Sequence, residues 1–216
     1  SSFLYRGRIS ASISYFQRMK DAGKGRSMRK LKKNPYLIYT AAFVFMLPFV
    51  FGILLSQDKS FVFSGGGDGD GISQHYTALA YFGQWLREIL YNIAVEHRIY
   101  IPMWDMSIGY GADIITTLSY YVIGDPFALL SVFCPKEQTE ILYCFLILLR
   151  LWCAGAAFLF YCRYMRQENW AAVLGALIYI FSAYPLRAQH PYFINPMIWF
   201  PLILTGAEKI FHRERP

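Results

Sequence analysis

Charge is what this chain has least of: charged residues make up 16% of its 216 positions, and Asp+Glu number 14 against 21 Lys+Arg. A disordered chain needs more charge and fewer apolar residues than this one has. With 56% apolar and 19% aromatic residues and a mean hydropathy of +0.29, the composition is not that of a soluble domain either. Four cysteines without a CxxC pair are too few for a disulfide-built scaffold. Sixteen glycines are too few for collagen. What remains is a membrane protein.

The charge present is sorted along the chain. Residues 1–34 hold ten Lys+Arg and one acid, Asp21, for +9, whereas residues 56–140 hold four Lys+Arg and ten Asp+Glu, for −6. The basic excess adjoins an apolar run and not a patterned recognition helix, so the net +7 points to anionic lipid and not to nucleic acid. Cys144, Cys153 and Cys162 recur every nine residues, about half a turn out of phase each time, so they cannot share a helix face as metal ligands. They read as small apolar residues.

Residues 36–55 are twenty positions without a charge, about 30 Å as a helix, which matches the hydrocarbon thickness. The 34-residue basic leader is too long for a secretory signal, so this is a signal anchor. Residues 141–161 form a second span with Arg150 near its middle. A shorter third covers 170–186, and a weaker fourth, 192–210, is interrupted by Asn195, Pro196 and Pro201. The expected organisation is therefore a cytoplasmic leader at 1–34, helix one at 35–55, an outer loop at 56–140, and helices two to four in 141–212. The positive-inside rule puts the leader, Arg163/Arg166 and Lys209/Arg213/Arg215 in the cytoplasm. Within the loop, Leu79, Phe82, Leu86, Ile89, Leu90 and Ile93 recur at helical spacing from Ile72 onward, which predicts an amphipathic helix lying on the membrane surface. Residues 114–133 are cut by Gly124-Asp125-Pro126 and predict two short interfacial helices.

The first residues with chemistry are Asp68 and Asp70, carried by the glycine-rich turn Ser64 to Gln74. A carboxylate there can serve as general base or bind a divalent cation. Alternatively Asp70 or Ser73 caps the helix that follows. An EF-hand is excluded, since its twelfth position counted from Asp68 is Leu79, and no Gly-Lys-Ser/Thr makes a P-loop. Arg150, costly at mid-span unless paired, either joins helices or holds a carboxylate or a lipid-linked phosphate. Asp105 and Asp113 are each a second acid or a solvated loop residue. His75 falls on the polar side of the surface helix, and His190 borders the third and fourth spans; neither has metal-site spacing.

Taken in order, Gly67-Asp68-Gly-Asp70-Gly-Ile-Ser-Gln74-His-Tyr76, Pro102-Met-Trp104, Gly109-Tyr-Gly111-Ala-Asp113, Tyr120-Tyr121, Asp125-Pro126, and Phe193-Ile-Asn195-Pro-Met-Ile-Trp-Phe-Pro201-Leu202 leading to Gly206-Ala-Glu208-Lys209 resemble the YfhO-type bacterial membrane proteins of the GT-C glycosyltransferase superfamily. The likeness runs from about residue 36 to 212. It implies an all-α, polytopic integral membrane enzyme with many more spans than four, of which this chain is the N-terminal portion. It implies transfer of a sugar from a polyprenyl-phosphate donor to a cell-envelope polymer such as teichoic acid, outside the cytoplasmic membrane. The Asp-x-x-x-Gln spacing then makes Asp70 catalytic, with Asp68 beside it as a second metal ligand. Gln74, Arg150, Trp104 and Asp113 become substrate-binding residues. Family members usually carry Asp where this chain has Asn195.

The residues agree with such chemistry independently. Displacing a phosphate-linked sugar needs a base for the acceptor hydroxyl, help for the departing phosphate, and a place for a lipid tail. A single displacement inverts the anomeric carbon. Two other classes compete: a transporter or flippase of a lipid-linked substrate, favoured by the break at Asn195-Pro196 together with Arg150, and a non-catalytic membrane scaffold.

Overall fold

The computed structural model describes residues 34–56, 60–63, 69–187 and 190–212. They are mostly helical. Helix α1, Pro35–Ser56, starts at an Asn-Pro pair: the Asn34 side chain accepts a hydrogen bond from the Tyr36 amide (3.0 Å), and Pro35 sits where no amide hydrogen is needed. Its 22 residues reach about 33 Å, and Pro48 lies within it. A π-helical turn, Gly71–Tyr76, runs into α2, Thr77–Ala94. The two-residue strands β1, Trp104–Asp105, and β2, Ala112–Asp113, pair antiparallel and lead to α3, Ile114–Leu118. A 3-10 segment, Ala128–Phe133, precedes the long α4, Thr139–Tyr164. After it come α5, Asn169–Ile180, the short α6, Ala183–Arg187, and α7, Pro191–Phe211.

Three stretches are long and apolar enough to cross a membrane: Pro35–Gly52, Lys136–Tyr164 and Asn169–Leu186. These coincide with the first three expected spans. The fourth differs from expectation in a specific way. Asn195 and the two prolines that follow it, Pro196 and Pro201, do not interrupt it, because α7 runs unbroken for 21 residues, although α7 is not among the three stretches that meet the length and apolarity of a span. Pro201 withdraws a hydrogen from the Met197 carbonyl, and the Tyr179 hydroxyl of α5 donates to that carbonyl instead (3.0 Å). A neighbouring helix thus satisfies the group that proline orphans.

Helix α4 is the hub. Its buried face, Tyr143, Leu146, Ile147, Arg150, Leu151 and Ala154, repeats at three and four residues, as does Ile194, Met197, Ile198, Pro201 and Thr205 on α7, and the two faces mesh. Helix α5 adds Ala172, Val173 and Ala176, small residues that let backbones approach. At Gly155 the Tyr39 ring of α1 lies where a side chain would begin, and the Tyr39 hydroxyl donates to the Trp152 carbonyl (3.0 Å). Phe45, Phe49, Leu174, Ile178 and Ile203 remain exposed on the outside, as side chains that face lipid do.

The expected amphipathic helix is present, with Leu79, Phe82 and Trp85 buried, and so is a short helical segment on either side of Gly124. Two of its polar positions do structural work. Asn92 is buried, and Arg87 Nη1 donates to the carbonyls of Ser131 (2.9 Å) and Cys134 (2.6 Å) at the end of the 3-10 segment. Gly83 admits that segment, since an added Cβ would lie 2.7 Å from the Ser131 oxygen. The four cysteines are free and half-buried.

Candidate functional site

Asp70 opens the π-helical turn but does not cap it: its backbone is helical and its side chain makes no capping bond. Ser73 does not cap it either, its hydroxyl donating back to the Gly69 carbonyl (2.8 Å). The capping reading is therefore overturned for both. Instead Asp70 Oδ1 accepts from Gln74 Nε2 (2.7 Å), the one-turn spacing that puts both side chains on one helix face. Gln74 Oε1 in turn accepts from the Tyr121 hydroxyl (3.0 Å). The half-buried carboxylate is thus aimed by an amide that a tyrosine from the α3 side holds. A π-turn at this point fits the tendency of such turns to mark functional positions. Asp68 lies outside the described residues, so the cation expected at Asp68 and Asp70 has only one of its ligands here. Among the described residues no three His, Cys, Asp or Glu side chains gather as a metal-binding group.

His75 is not on a polar surface. It is buried and its ring stacks on His190 from the start of α7, with centroids 4.7 Å apart and planes at 14°. Tyr121 meets it edge-on at 5.3 Å. Neither His75 Nδ1 nor His190 Nδ1 has a partner among the described residues. Burial and the adjacent His190 imidazole push the His75 pKa down to about 4, with the Asp70 carboxylate pulling the other way. Burial also lowers that of His190. Both rings are neutral at pH 7.

Arg150 is fully buried, and the anion it meets is the protein's own. Its Nη2 donates to Asp125 Oδ2 (2.5 Å), its Nε to Asn195 Oδ1 (3.0 Å), and its guanidinium lies 4.9 Å from the Phe127 ring centre. Arg150 stands eleven residues into α4, about 16 Å from its start, so the 114–133 segment folds down along the helix to bring Asp125 there. Asp125 and Asn195 line a cavity of about 320 Å³ with Tyr120, Tyr121, Tyr192 and Trp199. On the other side of Tyr121 a second cavity of about 330 Å³ is lined by Ser73, Gln74, Thr77, Tyr81 and Ser107.

Trp104, Asp105 and Asp113 lie farther along. Asp113 is the N-cap of α3, accepting from the Thr116 amide (2.6 Å), and that bond holds its carboxyl below the usual range. Asp105 accepts from the Tyr81 hydroxyl (2.6 Å) and the Ser107 amide (2.7 Å), the first of which does most to lower its pKa. Trp104 is exposed and with Asp105 lines a third cavity of about 520 Å³, which shares Tyr81 and Ser107 with the second. The structure thus brings Asp70 and Gln74 together, engages Arg150 with Asp125 and Asn195, and keeps Trp104 and Asp113 in the hairpin region. The sequence alone does not single out Asp125, Tyr121 or the stacked histidines as site residues. A mid-span arginine calls for an anionic partner, but nothing in the spacing selects Asp125 over the other loop acids.

The comparisons with known proteins come down to one match. The family model for bacterial membrane protein YfhO matches residues 38–216. No curated protein and no solved structure matches the chain. The matched residues take in α1, the Asp70 turn, all three cavities and α7, and the chain belongs to the YfhO family of bacterial membrane proteins.

Proposed function

We propose that the chain is the N-terminal part of a membrane glycosyltransferase of GT-C type, which moves a sugar from a polyprenyl-phosphate donor to a cell-envelope polymer such as teichoic acid on the outer face of the cytoplasmic membrane. The observation that carries the reading is Asp70, aimed by a Gln74 that lines one cavity and that is held by Tyr121, which lines two, because transfer needs one base near where two substrates meet. Asp70 takes the proton of the acceptor hydroxyl. The acceptor oxygen then bonds to the anomeric carbon as the bond from that carbon to the phosphate oxygen breaks, with inversion. The polyprenyl phosphate departs as an anion that needs no proton, since its second pKa is only about 6, so a single carboxylate suffices. Arg150, closed on Asp125 and Asn195, serves as a positioning residue and not as the phosphate ligand. A transporter reading drew support from a break at Asn195-Pro196, and α7 is unbroken there.

The test is transfer by the full-length protein with a synthetic polyprenyl-phosphate sugar. Asp70→Asn keeps the side-chain size and the partnership with Gln74 but cannot take a proton, and it should lower the rate by about two to four orders of magnitude. Near wild-type turnover, with Asp68→Asn inactive, would move the base to Asp68. For orientation, a cysteine at Ser107 should react with an impermeant maleimide on intact cells, and one at Gln167 should not.

A further inference from the structure

The cavity between α3 and α7 has a composition of its own. Three half-exposed aromatic rings, Tyr120, Tyr192 and Trp199, line it, and the first two stack, with centroids 4.5 Å apart. Its polar groups are Asp125 and Asn195, and both are fixed from behind. The Asp125 side chain is 9% exposed, its Oδ2 faces Arg150 and its Oδ1 accepts from the Phe127 amide (3.0 Å). Asn195 commits its oxygen to Arg150 Nε, which sets the amide's orientation and leaves its NH2 as a donor. Aromatic faces opposite a rigid acceptor and a rigid donor suit a ring that has an apolar CH face and hydroxyls around its edge. A pyranose is such a ring. The volume, about 320 Å³, is that of a small-ligand site.

We propose that this cavity is a pyranose subsite that takes an uncharged sugar, with Asp125 and Asn195 reading hydroxyls and Tyr192 supplying the stacking face. The restriction to uncharged sugars follows from electrostatics. Asp125 is the one charged residue of the lining, and Arg150 already neutralises it. A carboxylate or phosphate on the sugar would meet Asp125 with no cation left to offset the repulsion. The assignment rests on the glycosyl-transfer reading and deepens it: Tyr121 lines this cavity and hydrogen-bonds the Gln74 that aims Asp70, so two hydrogen bonds connect the wall of the subsite to the base.

The experiment measures binding of methyl glucoside, methyl N-acetylglucosaminide and methyl glucuronide to the full-length protein in nanodiscs, by saturation-transfer NMR with competition. At least one neutral glycoside should bind, and the glucuronide should bind about tenfold more weakly or not at all, a factor equal to 1.4 kcal/mol. Tyr192 is half-exposed, so its variants should fold. Tyr192→Ala should weaken the neutral glycoside about tenfold and Tyr192→Phe by no more than about twofold, because the ring and not the hydroxyl does the stacking. Equal or tighter glucuronide binding, no binding of either neutral glycoside, or an unaffected Tyr192→Ala variant would overturn the assignment. The two readings fail separately. Glycoside binding that depends on Tyr192 in a protein without transferase activity would sink the reaction and keep the subsite. Asp70-dependent transfer with an unchanged donor KM in Tyr192→Ala would do the reverse.

Discussion

Two polar clusters are packed against α4, and they differ in how their groups are paired. Around Arg150 the guanidinium faces a carboxylate, an amide oxygen and an aromatic ring, and its carboxylate partner has a backbone amide as well. Around Asp70 the carboxylate has one side-chain partner, and the two imidazoles beside it leave their Nδ1 atoms without any among the described residues. Buried polar groups are normally satisfied, so unsatisfied ones call for another explanation. The first cluster has the character of architecture, holding the 114–133 segment and α7 to the hub helix. In the proposed reading the second is the site that meets substrate.

That contrast can be broken by mutation. Arg150→Leu leaves Asp125 buried without its cation, and should lower unfolding stability of the full-length protein by about 3–5 kcal/mol, as loss of one partner of a buried pair does. Adding Asp125→Leu should restore most of it. A double variant as unstable as the single would mean that the pair is not what holds the segment. Gly155→Ala, at the α1–α4 contact, should cost about 1–3 kcal/mol, since the Tyr39 ring must shift. Gly206→Ala, also within a helix but with open space around it, is the control and should stabilise by about 0.5–1 kcal/mol, the gain of alanine over glycine in a helix. The smallest effect at neutral pH concerns His75. Its pKa falls from 6.5 to about 4 in the folded chain, so between those values the unfolded chain binds more protons, and stability declines as pH drops through that window. His75→Phe keeps a ring against His190 and should flatten this slope in pH-dependent thermal unfolding. An unchanged slope would place the acid sensitivity elsewhere.

What could be read from the sequence was local. Apolar runs mark the three helices long and apolar enough to cross a membrane, three-and-four spacing marks the amphipathic helix Thr77–Ala94, and the Asp70-to-Gln74 interval marks a contact because one helical turn enforces it. What could not be read was tertiary. Asp125 is 25 residues from Arg150, and His75 lies on a different element from His190, so no periodicity links either pair. A regular helix from Ile72 would put His75 on its polar side, whereas residues 71–76 form a π-turn and the ring is buried. The expected break at Asn195-Pro196 does not occur, since α7 runs on through it, and farther along Tyr179 of α5 supplies the hydrogen that Pro201 lacks.

The most direct test of the account is to measure unfolding stability and sugar transfer together on Asp70→Asn in the full-length protein. The account predicts stability within about 0.5 kcal/mol of wild type, the range expected of substitutions that disturb no packing, with transfer lowered by at least about a hundredfold. A variant that transfers sugar at the wild-type rate, or one that loses activity only in proportion to lost stability, would contradict it.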